Sequence, residues 1–179
     1  MTAFAQFQGK IYTSYHSIKN NDTGTIIYSI KGDKTLMDIQ NTASSSQLLN
    51  QNGQIYLIGN KPAETYKAMG HQDWKPENST IAGMACQYAA LKSKYGQLEV
   101  WVAKQIPFEF SLYRNFFQAM GFDEKDLNAK ITGFPLVMRI TDTAGNIQYI
   151  QQADEVKQLS IDDSTLSIPM APTPEKKQE

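Results

Sequence analysis

From Phe7 to Val102 apolar side chains recur mainly at every second position, and then, for one stretch only, the period changes to that of a helix. Successive side chains of a strand point to opposite faces, so a period of two marks strands with one face toward a core. In FAQFQGKIYTSYHS, residues Phe7, Gly9, Ile11, Thr13 and Tyr15 share a phase. In TGTIIYSIKGDKTLMDIQ, Ile26, Tyr28 and Ile30 share one face, a turn falls at Lys31-Gly32-Asp33, and Met37 and Ile39 follow on the return strand. GQIYLIGN reads as another short strand, AETYKAM as a further one, and HQDWKPENS as a polar loop.

A long hairpin is expected next. Its first strand runs from about Thr80 to Leu91, KSKYG turns the chain, and QLEVWVAK returns with Leu98, Val100 and Val102 on one face and Glu99 and Trp101 on the other. In PFEFSLYRNFFQAMG, Glu109, Leu112, Tyr113, Phe116, Phe117 and Met120 then fall at helical spacing, with Gly121 at the expected stop. FDEKDLNAK suggests a second short helical turn. Two strands close the pattern, ITGFPLVMRITDT and GNIQYIQQADEVKQLSID, joined at Ala144-Gly145. Pro135 inside the first of them calls for an edge strand or a strand start. Many antiparallel strands with one inserted apolar helix imply an α+β domain in which a curved sheet buries the helix.

The totals narrow the function. With 179 residues the chain can build one sizeable core, and its net charge of −1, without a Lys/Arg cluster, argues against a nucleic-acid binder. No apolar run approaches the roughly 20 residues that span a bilayer. No secretory leader is visible, so an exported protein would have lost it. The end, PMAPTPEKKQE, reads as a polar, disordered tail over residues 170–179, leaving residues 1–169 as a single domain.

Chemistry finds little foothold. Cys86 is the only cysteine and lies in an apolar alternating segment with Met84 and Tyr88 in its phase, the setting of a small buried hydrophobe. His16 ends a strand and His71 sits in a polar loop beside Asp73, and neither has metal-ligand spacing. Asp22-Thr23-Gly24 matches the aspartic-protease tripeptide but lies among polar residues between two strands, where a turn is the expected use. Asp123 to Asp126 lacks the spacing of a calcium loop. No enzyme, metal or cofactor is expected. Aromatic residues make up 11% of the chain, with seven Met beside them, a composition suited both to a core and to the wall of an apolar pocket.

FQGKIYTSY, IIYSIKGDKTLMDI, IYLI, TIAGMACQYAA with GQLEVWVAKQIPF, GFPLVMRI and IDDSTLSIP follow one another in an order and spacing that resemble an exported bacterial family of unknown function (DUF4412-like). The central motif is Ile81-Ala82-Gly83 with Cys86 and Glu99-Val100-Trp101-Val102. The family is similar to the LolA/LolB/LppX-like lipoprotein carriers. The resemblance implies a half-open antiparallel β-barrel wrapped around a helical plug, a periplasmic or outer-membrane-associated location, and an apolar ligand between sheet and helix. The acyl-binding arginine of the carriers has no counterpart here, as Arg114 and Arg139 lie in no matching motif.

The expectation is therefore a non-enzymatic envelope protein that binds a lipid or acyl chain. Strand phase and the helix give its cavity lining as Tyr28, Ile30, Met37, Val100, Val102, Tyr113, Phe116, Phe117 and Met138. The alternative is a structural or partner-binding module with a closed core, working through a sheet edge or through exposed aromatics such as Trp74 or Trp101; the partner is not specified by the sequence.

Overall fold

The structure is a computed structural model and describes residues 7–61 and 64–168. Ten strands form one open antiparallel sheet: β1 (Gln8–Ser17), β2 (Asp22–Lys31), β3 (Lys34–Asn41), β4 (Ser45–Gln51), β5 (Gln54–Gly59), β6 (Ser79–Ile81), β7 (Met84–Ser93), β8 (Gly96–Ala103), β9 (Phe134–Asp142) and β10 (Ile147–Gln158). The order across the sheet is β5-β4-β3-β2-β1-β10-β9-β8-β7-β6, so the chain runs outward from the centre to one edge, crosses to the other edge and returns. Between β8 and β9 a 3-10 turn (Phe110–Tyr113) leads into α1 (Arg114–Ala119), followed by α2 (Glu124–Lys130). The helical period of the sequence thus becomes a 3-10 turn and the short α1 on the sheet's concave face, and the second helical turn expected at FDEKDLNAK is α2. The expected tail, residues 170–179, lies outside the described residues.

Three local expectations need correction. The stretch Thr80 to Leu91 is two strands. Ala82 and Gly83 take left-handed backbone angles, with φ of 49° and 79°, and turn the chain so that Ile81 pairs with Met84. The result is a three-stranded meander, β6-β7-β8. Second, SSQLLNQ, to which the sequence pattern assigns no element, forms β4. Asn52-Gly53, with φ of 54° and 72°, makes the tight turn into β5, as an Asn-Gly pair does in a hairpin. Third, the described part of AETYKAM, residues 64–69, forms no strand; residues 64–78 cross the convex face as a strap. Pro135 is the second residue of the interior strand β9, paired with Val102 beside the point where the β8–β9 register shifts, a bulge position that tolerates proline.

The strap explains why both faces of the central strands are buried. It is fastened at intervals from β1 to β7. Glu64 pairs with Lys10 and accepts from the Tyr12 hydroxyl at 2.9 Å. The backbone N–H of Gln72 and the indole N–H of Trp74 both donate to Gln152 Oε1, each at 2.9 Å. Trp101, fully buried beneath the strap, donates to the Glu77 carbonyl at 3.0 Å, and the Asn78 side chain accepts from the Tyr88 backbone at 2.9 Å.

Beside Trp101 lies a charged cluster. Arg139 Nε donates to Glu99 Oε2 at 2.8 Å, the Tyr88 hydroxyl donates to Glu99 Oε1 at 2.8 Å, and Asp73 of the strap pairs with Arg139 at 3.3 Å. The guanidinium stacks over the Trp101 ring at 5.3 Å. Burial pushes the Glu99 carboxyl up, but the hydrogen bonds from Arg139 and Tyr88 outweigh it and hold the group below its ordinary value of 4.5. A carboxyl lowered on folding stabilises the native state above the unfolded value and loses that contribution as pH falls through the native one. Urea denaturation of the wild type is therefore expected to show stability falling as pH drops below 4.5, and Glu99→Gln to flatten part of that fall. At pH 7 the variant should lose about 1–2 kcal/mol, less than the roughly 3–5 of a fully buried pair, because Asp73 still faces Arg139.

Candidate functional site on the concave face

The concave face is lined by alternate residues of the strands, with the helical segment laid over it. Tyr28, Ile30 and Met37 come from β2 and β3, Val100 and Val102 from β8, and Met138 from β9; Phe117 of α1 packs down among them. All seven are buried in one continuous core. Phe108, Phe110, Tyr113, Phe116, Phe117 and Phe134 interlock edge to face, with centroid separations such as 4.9 Å for Phe108–Phe134 and 5.3 Å for Phe116–Phe117. The structure thus brings the nine sequence-predicted lining residues together, but as packing partners of one another. Val102, Tyr113 and Phe116 also border open space.

A polar network sits inside this aromatic core. Gln151 of β10 accepts from the Tyr149 hydroxyl at 2.8 Å and from the Tyr113 hydroxyl at 3.1 Å, and donates to the Tyr28 hydroxyl at 2.8 Å. Tyr28 and Tyr113 also bond to each other. Burial raises all three phenols, Tyr113 to about 12 and the other two well above their ordinary value of 10, so the network is neutral at physiological pH. Its effect is to tie the helical segment, through Tyr113, to the middle of the sheet.

The packing ends before the sheet does. On β5, Ile55 and Leu57 point to the concave side but lie beyond the reach of the helical segment; Leu57 is 71% exposed and Ile55 45%. Between Ile55 and the segment Leu112–Phe116 runs a groove of about 340 Å³, walled by Ile55, Leu112, Tyr113 and Phe116, with Arg114 and Asn115 at its rim. Leu48 and Ile39 continue the apolar surface inward toward the core. Sequence phase missed Ile55, Leu57 and Leu112 as candidates. The first two sit in the strand GQIYLIGN, whose alternation was visible, but nothing in the sequence places that strand at a sheet edge.

A larger and more open hollow of about 530 Å³ lies toward the other edge, lined by Asn78, Ser79, Thr80, Gln87, Lys104 and Gln105 together with Ala85, Cys86 and Val102. Cys86 borders it with its thiol directed to the Met84 carbonyl at 3.4 Å, and burial pushes the thiol up from 9 to about 11, the opposite of an activated nucleophile. His71 bonds the Ser14 carbonyl at 3.1 Å while its neighbour Asp73 turns to Arg139, so the two face different partners. Asp22 opens β2 and accepts from the Tyr15 hydroxyl at 3.1 Å. Among the described residues no three His, Cys, Asp or Glu side chains converge as metal ligands, and no helix is long and apolar enough to cross a membrane.

Several solved structures share this fold. MucB superposes with a TM-score of 0.51 at 11% identity, over 92% of this chain and 58% of MucB. An uncharacterized conserved protein from Thermus thermophilus gives 0.55 at 8% identity, over 92% of this chain and 87% of that one. The Pseudomonas aeruginosa MucA/MucB complex gives 0.52 at 11% identity, over 90% of this chain and 56% of the matched one. This chain therefore spans a little over half of the matched MucB chains. At these identities the likeness is one of fold, and it agrees with the mainly antiparallel architecture expected; the half-open barrel implied by the resemblance is here an open ten-stranded sheet with two short helices. No curated protein matches in sequence. The profile of one family does match, over residues 29–171, and the chain belongs to that family, the domain of unknown function DUF4412.

Proposed function

We propose that the protein is a non-enzymatic component of the bacterial envelope that holds an apolar chain, the acyl chain of a lipid or of an acylated peptide, along the open side of its concave face. The observation that carries this reading is Ile55, 45% exposed on the concave side of β5 and walling the groove beside Leu112–Phe116, with the exposed Leu57 two residues further along the same face. Exposed apolar surface continuous with a core marks a binding surface, and a volume of about 340 Å³ falls within the range of small-ligand sites, at its small end. Chain and headgroup would divide between the apolar walls and the polar rim at Arg114 and Asn115. The envelope location rests on the family resemblance and on the fold shared with MucB.

The test is titration with a fluorescent fatty acid. Micromolar uptake is expected, weakened about tenfold or more by Leu112→Lys, which places a charge on the helical wall while its stem can still cover apolar surface. Absence of uptake, or uptake indifferent to Leu112→Lys in a variant that melts like the wild type, would overturn the reading. A second reading is a partner-binding module. The tightly packed floor favours it, because only a shallow surface then remains for contact, and the MucA/MucB complex offers a precedent for a protein partner on this fold.

A further inference from the structure

The end of the sheet at β5 carries a second message, read from the backbone of the strand that also supplies Ile55 to the groove. From Ile39 to Asn60 the sequence contains no charged residue, in a chain where one residue in five is charged. This segment forms the end of β3 and all of the β4–β5 hairpin, and among the described residues β5 is the last strand of the sheet on that side. Proteins normally guard a terminal strand with lysine, proline, a bulge or brevity, since its free N–H and C=O groups template further pairing. The six-residue strand Gln54–Gly59 has no charge and no proline, its register shift against β4 falls only after Leu57, and Leu57 stands exposed on it.

The free backbone groups can be assigned. Across the Asn52-Gly53 turn, Gln51 and Gln54 flank the loop and pair, followed by Asn50 with Ile55, Leu49 with Tyr56 and Leu48 with Leu57. In a two-residue hairpin the flanking pair exchanges both hydrogen bonds, and bonded and non-bonded pairs then alternate. Gln54 and Tyr56 therefore bond inward to β4, and Ile55 and Leu57 direct their N–H and C=O outward.

We infer that β5 pairs antiparallel with β5 of a second copy of this chain, about a twofold axis at Tyr56, to join two sheets edge to edge. In that register Ile55 and the partner's Leu57 exchange both backbone bonds, and Leu57 does the same with the partner's Ile55. Their side chains meet on the concave face, where each covers exposed apolar surface of the other. Charge selects this occupant. A twofold axis sets each strand against itself, so any charge near the axis would meet its like, and like charges directly opposite destabilise a strand pair. An edge stripped of charge on every residue from Ile39 to Asn60 is suited to that symmetry, whereas a charged peptide would find no counter-charge on the strand.

Sedimentation equilibrium without ligand, from about 5 to 500 µM, tests this together with amide exchange at residues 55 and 57. The expected result is a monomer–dimer equilibrium in which exchange at Ile55 and Leu57 slows as concentration rises. Leu57→Lys, whose side chain is mostly exposed, should leave the circular-dichroism melt unchanged and weaken dimerisation about tenfold or more. A monomer throughout with both amides exchanging freely, or a dimer indifferent to Leu57→Lys, would overturn the inference. Protection that appears only on adding an uncharged extended peptide would also overturn it, and assign the edge to a peptide partner. Fatty-acid binding is read separately through Leu112→Lys, so either proposal can fail alone.

Discussion

Trp101→Ala is expected to destabilise the protein by about 3–5 kcal/mol, the range for truncating a fully buried aromatic side chain, and to lower Tm by about 10 °C for a domain of this size. The indole is fully buried, packs edge-on against Tyr88 at 5.2 Å, lies beneath the Arg139 guanidinium and fastens the strap through the Glu77 carbonyl. Removing it opens a cavity and frees the end of the strap that leads into β6. Two measurements separate these effects. Thermal melting reads the total, and limited proteolysis within residues 64–78 reads the strap, which should be cut faster than in wild type at a temperature where both remain folded. Trp101→Phe keeps much of the volume but loses the N–H, and should cost about 1 kcal/mol from the hydrogen bond in addition to the smaller packing loss. A Trp101→Ala variant within about 1 kcal/mol of wild type would contradict the role assigned to this residue.

The second large effect is expected at Gln151. Its side chain joins the Tyr28, Tyr113 and Tyr149 hydroxyls through hydrogen bonds of 2.8 to 3.1 Å. Gln151→Leu would keep the volume and leave the Tyr149 hydroxyl without this partner in an apolar core. A buried polar group left unpaired costs about 1–3 kcal/mol, and the weakened hold on the Tyr28–Tyr113 pair brings the expected loss to about 3 kcal/mol. The double variant Gln151→Leu with Tyr149→Phe should recover part of it, because removing both partners abolishes the unpaired group. No recovery in the double variant, measured by urea denaturation, would show that the cost comes from packing and that the network does not hold the helical segment in place.

The frame of the fold was legible because alternation is a direct consequence of strand geometry. β1, β2, β3, β8, β9 and β10 carry it plainly, and the change of period at Leu112 to Met120 marks the helical segment. What escaped has physical reasons. β4 is SSQLLNQ, with two adjacent leucines and no alternation, since Leu49 packs on the convex side against Leu36, Ile161 and Leu166 while Leu48 faces the concave core. Ala82-Gly83 reads as strand because alanine rarely adopts a positive φ. AETYKAM imitates a strand because Tyr66 is one of the residues that anchor the strap, meeting Tyr12 edge-on at 5.4 Å. The motif Glu99-Val100-Trp101-Val102 was legible as a strand, but its outward half is buried only because the strap covers it, a contact no local pattern encodes.

The same limit governed the candidate site. Phase assigned Tyr28, Ile30, Met37, Val100, Phe117 and Met138 to the concave side, which is where they lie, but phase reports direction and not occupancy. Whether an inward side chain lines a cavity or fills it depends on how far the helical segment reaches. Here it covers the centre of the sheet and stops short of β5, leaving Ile55 and Leu57 exposed.

The measurement that tests the central claim most directly is photo-crosslinking with a fatty acid bearing a diazirine near the middle of its chain, followed by peptide mapping. The account predicts adducts on two segments, Ile55 to Leu57 and Leu112 to Phe116, competed away by unlabelled fatty acid. Adducts confined to the hollow beside Cys86 or to the strap on the convex face, or labelling that unlabelled fatty acid does not compete, would contradict it.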